Sequence, residues 1–365
     1  MEPRIQYAKT KDGVSIAYYT LGQGTPLLHL PWGGVGHLQL EWEYPEFRQW
    51  YERLAEKRML VRYDAAGTGL SDRGVIDLSL EARVRDVEAV VDRLGLEKFA
   101  LAGLLHSGLT AVLYAVRHPE RVTHLVLWCS YARASDYVSS PQFQVVRAAA
   151  ETDWDTYIEL GSQLAFGWSE GERARRYAAY MREYMTPELR QAYAEALPNY
   201  DVTSLLPRVK SPTLVLHRRQ VPYPQMDAAR RLASQIPDAQ LVLLEGGALL
   251  PFAGDTDSVL RAIDEFLGEG AEAAATAELP EGMAVILFAD IVESTALTEQ
   301  LGDAAFRAKA RQLDTSLRTI IRECAGTPVE GKLVGDGLLA VFTSARQAID
   351  CALRCNDASE PVGLQ

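Results

Sequence analysis

Residues 99–108 read Phe99-Ala100-Leu101-Ala102-Gly103-Leu104-Leu105-His106-Ser107-Gly108. The first four are an apolar strand candidate, and a helical pattern follows over residues 110–117. The turn between them is short, so strand and helix nearly touch. The positions two places either side of its middle residue must then be small, and Gly103 and Ser107 are small. That puts Leu105 in the middle. Shifting the frame to centre on Ser107 would place Leu105 and Leu109 at the crowded flanks, where side chains of that size clash.

Working outward, other apolar runs suit strands at residues 27–31, 59–63, 125–128, 213–217 and 241–244. Residues 5–9 and 14–19 alternate as in an antiparallel hairpin. Helical patterns fill residues 44–56, 80–94, 226–234 and 257–267. A hairpin followed by alternating strands and helices predicts an α/β fold, a mostly parallel sheet covered on both faces. The spacing breaks over about 131–207, a strand-free stretch rich in Arg, Glu, Tyr and Ala that reads as a helical cap. Residues 268–282, GEGAEAAATAELPEG, lack apolar periodicity and read as a linker. The chain therefore divides into 1–267, a linker at 268–282, and 283–365. The last region offers a strand at 285–289, one long helix at 296–324, a hairpin around Gly331 and a helix at 345–355.

The 365 residues are 48% hydrophobic and 24% charged, enough for a full core. A net charge of −12 argues against a nucleic-acid binder, which needs a basic face. No apolar run approaches the roughly 20 residues of a membrane span, and Met1-Glu2-Pro3-Arg4-Ile5 lacks the form of a signal peptide. No membrane contact and a cytoplasmic location are expected. Cys129, Cys324, Cys351 and Cys355 carry no metal-ligand spacing and read as structural.

Residues 5–267 resemble the α/β-hydrolase family. Pro31-Trp32-Gly33-Gly34 follows the third strand, where the family places a loop that helps bind an oxyanion. Asp64-Ala65-Ala66-Gly67-Thr68-Gly69-Leu70-Ser71 is similar to the turn after the family's fourth strand, and His118-Pro119-Glu120-Arg121-Val122 to the turn after its elbow helix. The resemblance implies an eight-stranded, mostly parallel sheet with a helical cap. It also implies a nucleophile, an acid and a histidine, in that order. The matching positions hold Leu105, Gln220 and Leu249, and the last histidine of the chain is His217. Ser107 as a nucleophile would lack a downstream base, and an unassisted hydroxyl attacks poorly. No catalytic residue is assigned on this reading. Trp32, Gly33 and His106 are candidate oxyanion-hole backbone positions. Trp32, His37, Leu105, His106, Gln220 and Leu249 are candidate pocket residues, and no cofactor is expected in this domain.

Residues 283–357 resemble the start of a class III nucleotide cyclase, a partial α+β, ferredoxin-like domain. The stretches are Leu287-Phe288-Ala289-Asp290-Ile291-Val292-Glu293-Ser294-Thr295 and Lys332-Leu333-Val334-Gly335-Asp336-Gly337. In that family, Asp290, the carbonyl of Ile291 and Asp336 would hold Mg2+ or Mn2+, and Lys332 would read the purine of ATP or GTP. The family works as dimers, so a homodimer is the implied assembly. The region reads as truncated, lacking the later strands that complete a cyclase site.

Together these readings predict a non-catalytic sensing domain for an apolar small molecule, or a collapsed packing module, joined to an incomplete cyclase in an adenylate-cyclase-type signalling protein. Two leucines would spare the domain unpaired buried polar groups worth about 1–3 kcal/mol each. The alternatives are an esterase- or lactonase-like hydrolase with an atypical nucleophile such as Ser107, and a cyclase active only with a complete partner.

Overall fold

The computed structural model describes residues 2–32, 36–74, 77–268, 285–292, 294–324, 326–329, 338–342 and 345–359. The chain forms two compact units, Met1–Ala274 and Ala275–Gln365. Each is described by itself.

The first unit is built on eight strands: β1 (Gln6–Lys9), β2 (Ser15–Leu21), β3 (Pro26–His29), β4 (Met59–Tyr63), β5 (Phe99–Leu104), β6 (Val122–Trp128), β7 (Thr213–Arg218) and β8 (Ala239–Leu244). Their order is β1-β2-β4-β3-β5-β6-β7-β8. β1–β2 and β2–β4 are antiparallel, and every later pairing is parallel. The expected mostly parallel, eight-stranded sheet is present. Helices on both faces leave the central strands no solvent side, so β5 and β7 are buried at all their residues, and β5 reads as an unbroken apolar run. The alternating hairpin reading suits β1, where only Ala8 is buried.

The helices carry the signals that their sequences offer. Helix Leu80–Arg93 is capped by Ser79, whose hydroxyl accepts from Ala82 N, and Thr256–Phe266 by Asp255, which accepts from Ser258 N. Between β6 and β7 lie the helices Ser135–Val138, Pro141–Thr152, Trp154–Phe166, Gly171–Tyr184 and Pro187–Ala196. Three of them start on a side-chain cap, from Ser140, Asp153 and Thr186. Helix Gly171–Tyr184 docks on the body of the unit through Tyr44, whose hydroxyl donates to Arg173 O at 3.1 Å, and through an ion pair of Arg176 with Glu46.

The second unit pairs β9 (Val285–Ala289), β10 (Thr327–Val329) and β11 (Leu338–Phe342) as an antiparallel sheet in the order β10-β11-β9. Phe306, Leu313, Leu317 and Ile321 pack with β11 and with Ala348, Cys351 and Cys355. The single helix expected over 296–324 is two, Ser294–Leu301 and Asp303–Glu323. Gly302 stands between them at φ 79°, a left-handed conformation that glycine takes without strain and that a continuous helix does not contain. Among the described residues, no helix is long and apolar enough to cross a membrane.

Candidate active site at the carboxyl ends of the strands

Ligands of open α/β sheets bind outside the carboxyl ends of the strands, so the turn after β5 sets the site. Leu105 stands there at φ 51°, and among the described non-glycine residues only Cys129, after β6, shares a positive φ. A leucine in this region is strained by roughly 1–2 kcal/mol. Its neighbours hold it there. Leu105 N donates to Trp128 O at 3.0 Å, while its carbonyl accepts from Gly108 N at 3.1 Å and from the Ser130 hydroxyl at 3.0 Å. A Cβ on Gly103 would lie 2.7 Å from Gly108 Cα and 2.9 Å from Ser107 O, which is why position 103 must be a glycine. A Cβ on Gly108 would fall on the Ser130 side chain. The turn thus needs glycine at 108 as well as at 103.

Ser107 closes this turn. Its buried hydroxyl donates to Leu104 O and accepts from Leu104 N, both at 2.9 Å. Both of its roles are taken by backbone. His106 is more open. Its Nδ1 is hydrogen-bonded to the hydroxyl of Tyr131, its ring meets Tyr137 edge-on at 4.7 Å, and burial pushes its pKa down to about 4. The His106 backbone N–H meets no acceptor among the described residues. His106 lines a small cavity with Leu30, Pro31, Tyr63, Thr110 and Arg83.

The other residues expected at the site are placed as follows. Trp32 is buried against Phe252, with ring centroids 5.8 Å apart, and its indole N–H has no acceptor among the described residues. Gly33 lies outside the described residues. His37 caps helix Leu38–Glu43, its Nδ1 accepting from Leu40 N at 3.4 Å. Leu249 is buried and tied by backbone, its N–H donating to Ala165 O and its carbonyl accepting from the Trp128 indole, both at 2.7 Å. Gln220 is exposed. Its amide donates to Glu245 at 3.1 Å and its oxygen accepts from Gly246 N at 2.6 Å. The structure therefore brings Leu105 and His106 together at the elbow, and leaves Gln220 on the surface.

Two organising residues were missed by reading the sequence. Tyr131 holds the His106 ring. Arg218, at the end of β7, is fully buried, and its guanidinium donates to the carbonyls of Ala248 and Leu250, both at 2.9 Å, and of Asp255 at 3.1 Å. It lies over the Trp128 ring, 5.1 Å from the centroid. Nothing local in the sequence marks the carbonyls that Arg218 gathers.

In the second unit, Asp290 ends β9 exposed, and its carboxylate accepts from Ile291 N at 2.9 Å. Lys332 and Asp336 lie outside the described residues. Among the described residues, no group of three His, Cys, Asp or Glu side chains is placed to hold a metal ion.

The family model for the alpha/beta hydrolase fold matches residues 31–254. This chain belongs to the α/β-hydrolase fold family. The AB hydrolase superfamily protein YisY of Bacillus subtilis is 27% identical over 256 residues, covering 65% of this chain and 89% of the relative. Serine hydrolase BPHL of Mus musculus is 25% identical over 266 residues, covering 70% and 84%. Among solved structures, the enol-lactonase from Burkholderia xenovorans superposes with a TM-score of 0.59 at 23% identity, covering 72% of this chain and all of that one. That likeness supports the fold.

These relatives correct the functional expectation. They are named as hydrolases, which overturns the reading of this α/β-hydrolase as a non-catalytic sensor, or pseudoenzyme, within cyclic-nucleotide signalling. The family match ends at residue 254 and lends nothing to a cyclase assignment for residues 283–365. That reading rested on the side chains at three positions, Leu105, Gln220 and Leu249, and on the absence of a histidine after His217.

Proposed function

We propose that the first unit is an esterase- or lactonase-class hydrolase of small apolar substrates, in which water attacks the acyl carbon directly. The carrying observation is the elbow itself. Its strained backbone is kept at residue 105, and the next residue offers an unpaired N–H where charge develops on an acyl oxygen. The hydrolase names of YisY and BPHL support the class of reaction. Trp32, Phe252 and Leu249 make the packing near the strand ends apolar and aromatic.

Leu105 has no lone pair, so no acyl-enzyme forms there. The oxygen of water bonds to the acyl carbon, the bond to the alkoxy oxygen breaks, and the proton released by water ends on the departing oxygen. The test is turnover of p-nitrophenyl butyrate and of γ-lactones, read with a pre-steady-state trace. Steady product release with no initial burst is expected. Absence of turnover above the buffer rate on both classes would overturn the hydrolase. A burst accompanied by acylated Ser107 in the intact mass would replace water with Ser107 as nucleophile.

A further inference from the structure

The hydroxyl of Tyr131 fixes which nitrogen of His106 carries the proton. Tyr131 is fully buried, and among the described residues the only hydrogen-bond partner of its hydroxyl is His106 Nδ1. A buried O–H needs an acceptor, and Nδ1 is the one in reach. Nδ1 therefore accepts, and in a neutral imidazole the proton then sits on Nε2. Burial keeps the ring neutral across the physiological range. The result is an imidazole that presents a single N–H donor rather than a base.

The cavity that His106 lines lies at the carboxyl ends of β3, β4 and β5. Its free space is about 10 Å3, the size of one oxygen rather than of a whole substrate. The Arg83 Nη atoms and the Ser107 hydroxyl beside it are committed, whereas Arg83 Nε is buried without a partner among the described residues. The Arg83 Nη atoms donate to Ala66 O at 2.7 Å, to Asp86 and to the Tyr193 hydroxyl at 3.0 Å, and the Ser107 hydroxyl donates to Leu104 O. Nε2 of His106 has no acceptor among the described residues.

Resting on the hydrolase reading, we infer that the His106 ring is a catalytic donor: its Nε2–H holds the acyl oxygen of the substrate as that oxygen becomes negative, alongside the backbone N–H of the same residue. Tyr131 is the positioning residue that sets the tautomer. The ring then does for the transition state what the buried indole and amide donors of such sites do, without gaining or losing a proton.

The tautomer is read without any turnover. Protein carrying 15N-histidine is examined by long-range 1H–15N correlation at pH 7. His106 is expected with a bare Nδ1 and a protonated Nε2, and Tyr131→Phe is expected to mix the two tautomers. Methyl butylphosphonate, an anion shaped like the tetrahedral intermediate, is expected to move the Nε2–H resonance downfield. A protonated Nδ1 in the unaltered protein, or an Nε2–H unmoved by saturating phosphonate, overturns the inference even where esters are hydrolysed. An inactive protein whose Nε2–H responds to phosphonate would remove the hydrolase reading and keep the donor. In an active protein, His106→Gln places an amide N–H near Nε2, whereas His106→Asn places one near Nδ1. Asn is expected to lower kcat by about 100-fold with KM within twofold, and Gln to recover at least tenfold of that. Equal losses in Asn and Gln, with both variants melting normally, overturn the assignment.

Discussion

The turn after β5 and the loop after β8 meet the same edge of the sheet but are built by opposite means. The turn is shaped by missing atoms. Gly103 and Gly108 let strand, helix and neighbouring loop approach, and Leu105 takes a left-handed backbone to fit between them. The loop is shaped by an added charge. Arg218 enters a fully buried position and spans the carbonyls of Ala248, Leu250, Pro251 and Asp255. Steric shaping tolerates change at its centre, because the neighbours fix the path whatever side chain sits there. Polar shaping does not, because one cation serves all four carbonyls.

That difference gives its largest effect at Arg218. Arg218→Leu keeps apolar contact with Trp128 but takes the guanidinium donor from four carbonyls, of which Leu250 keeps a second donor in Ala253 N. A loss of about 3–5 kcal/mol is expected by urea denaturation. A loss below about 1 kcal/mol would mean that the loop holds itself and that the cation is incidental. Gly103→Ala comes next. Its Cβ meets backbone at 2.7 Å and the Ala111 side chain at 2.9 Å, and backbone cannot rotate aside. About 2–3 kcal/mol is expected, with the same melt as readout. An unchanged midpoint would show that the helix start can slide away from β5, and would remove the steric account of the elbow.

The same division explains what could be read from the chain alone. The strands, the helices and the elbow are local patterns, and residues 99–108 carry their own geometry in Gly103 and Ser107. Arg218 and Tyr131 act across the fold. Tyr131 meets a ring 25 residues earlier and Arg218 gathers carbonyls 30–37 residues later, so no periodicity or motif points to either. His37, a pocket candidate by position, also caps a helix, a role that depends only on the three residues after it. The break at Gly302 was legible in principle, since a glycine within a helical pattern marks a stop as readily as a packing site. The functional misreading was of another kind. Leu105, Gln220 and Leu249 exclude the usual triad, and that exclusion was extended to every kind of hydrolysis, although water needs no side chain at 105.

Leu105 itself should be cheaper to change than its burial suggests. Leu105→Gly removes a buried side chain but also relieves a left-handed φ. The two effects oppose each other, and a net loss under about 2 kcal/mol is expected. Leu101, fully buried in the same strand at ordinary strand geometry, has no such offset, and Leu101→Ala should cost about 3–4 kcal/mol. Equal losses at the two positions would show that the elbow stores no strain.

The smallest effect belongs to the protonation of His106, and its sign follows from burial. The unfolded ring takes up a proton as the pH falls below about 6.5, while the folded ring resists until about 4. Between those values the unfolded state holds more protons, so acid weakens the fold through this group, and above about 6.5 it contributes no slope. The ring is partly open to the cavity, which reduces the effect. Comparing the unaltered protein with His106→Gln at pH 7.5 and 5.5 should show the stability gap shifting toward the glutamine variant at the lower pH by under about 1 kcal/mol. The opposite sign would mean that the folded ring is charged, and a charged imidazole would donate from both nitrogens. Tyr131 would then accept rather than donate, and its hydroxyl proton would be left without an acceptor in a fully buried site. The direction of this small shift therefore reports on the hydrogen bond that orients the ring.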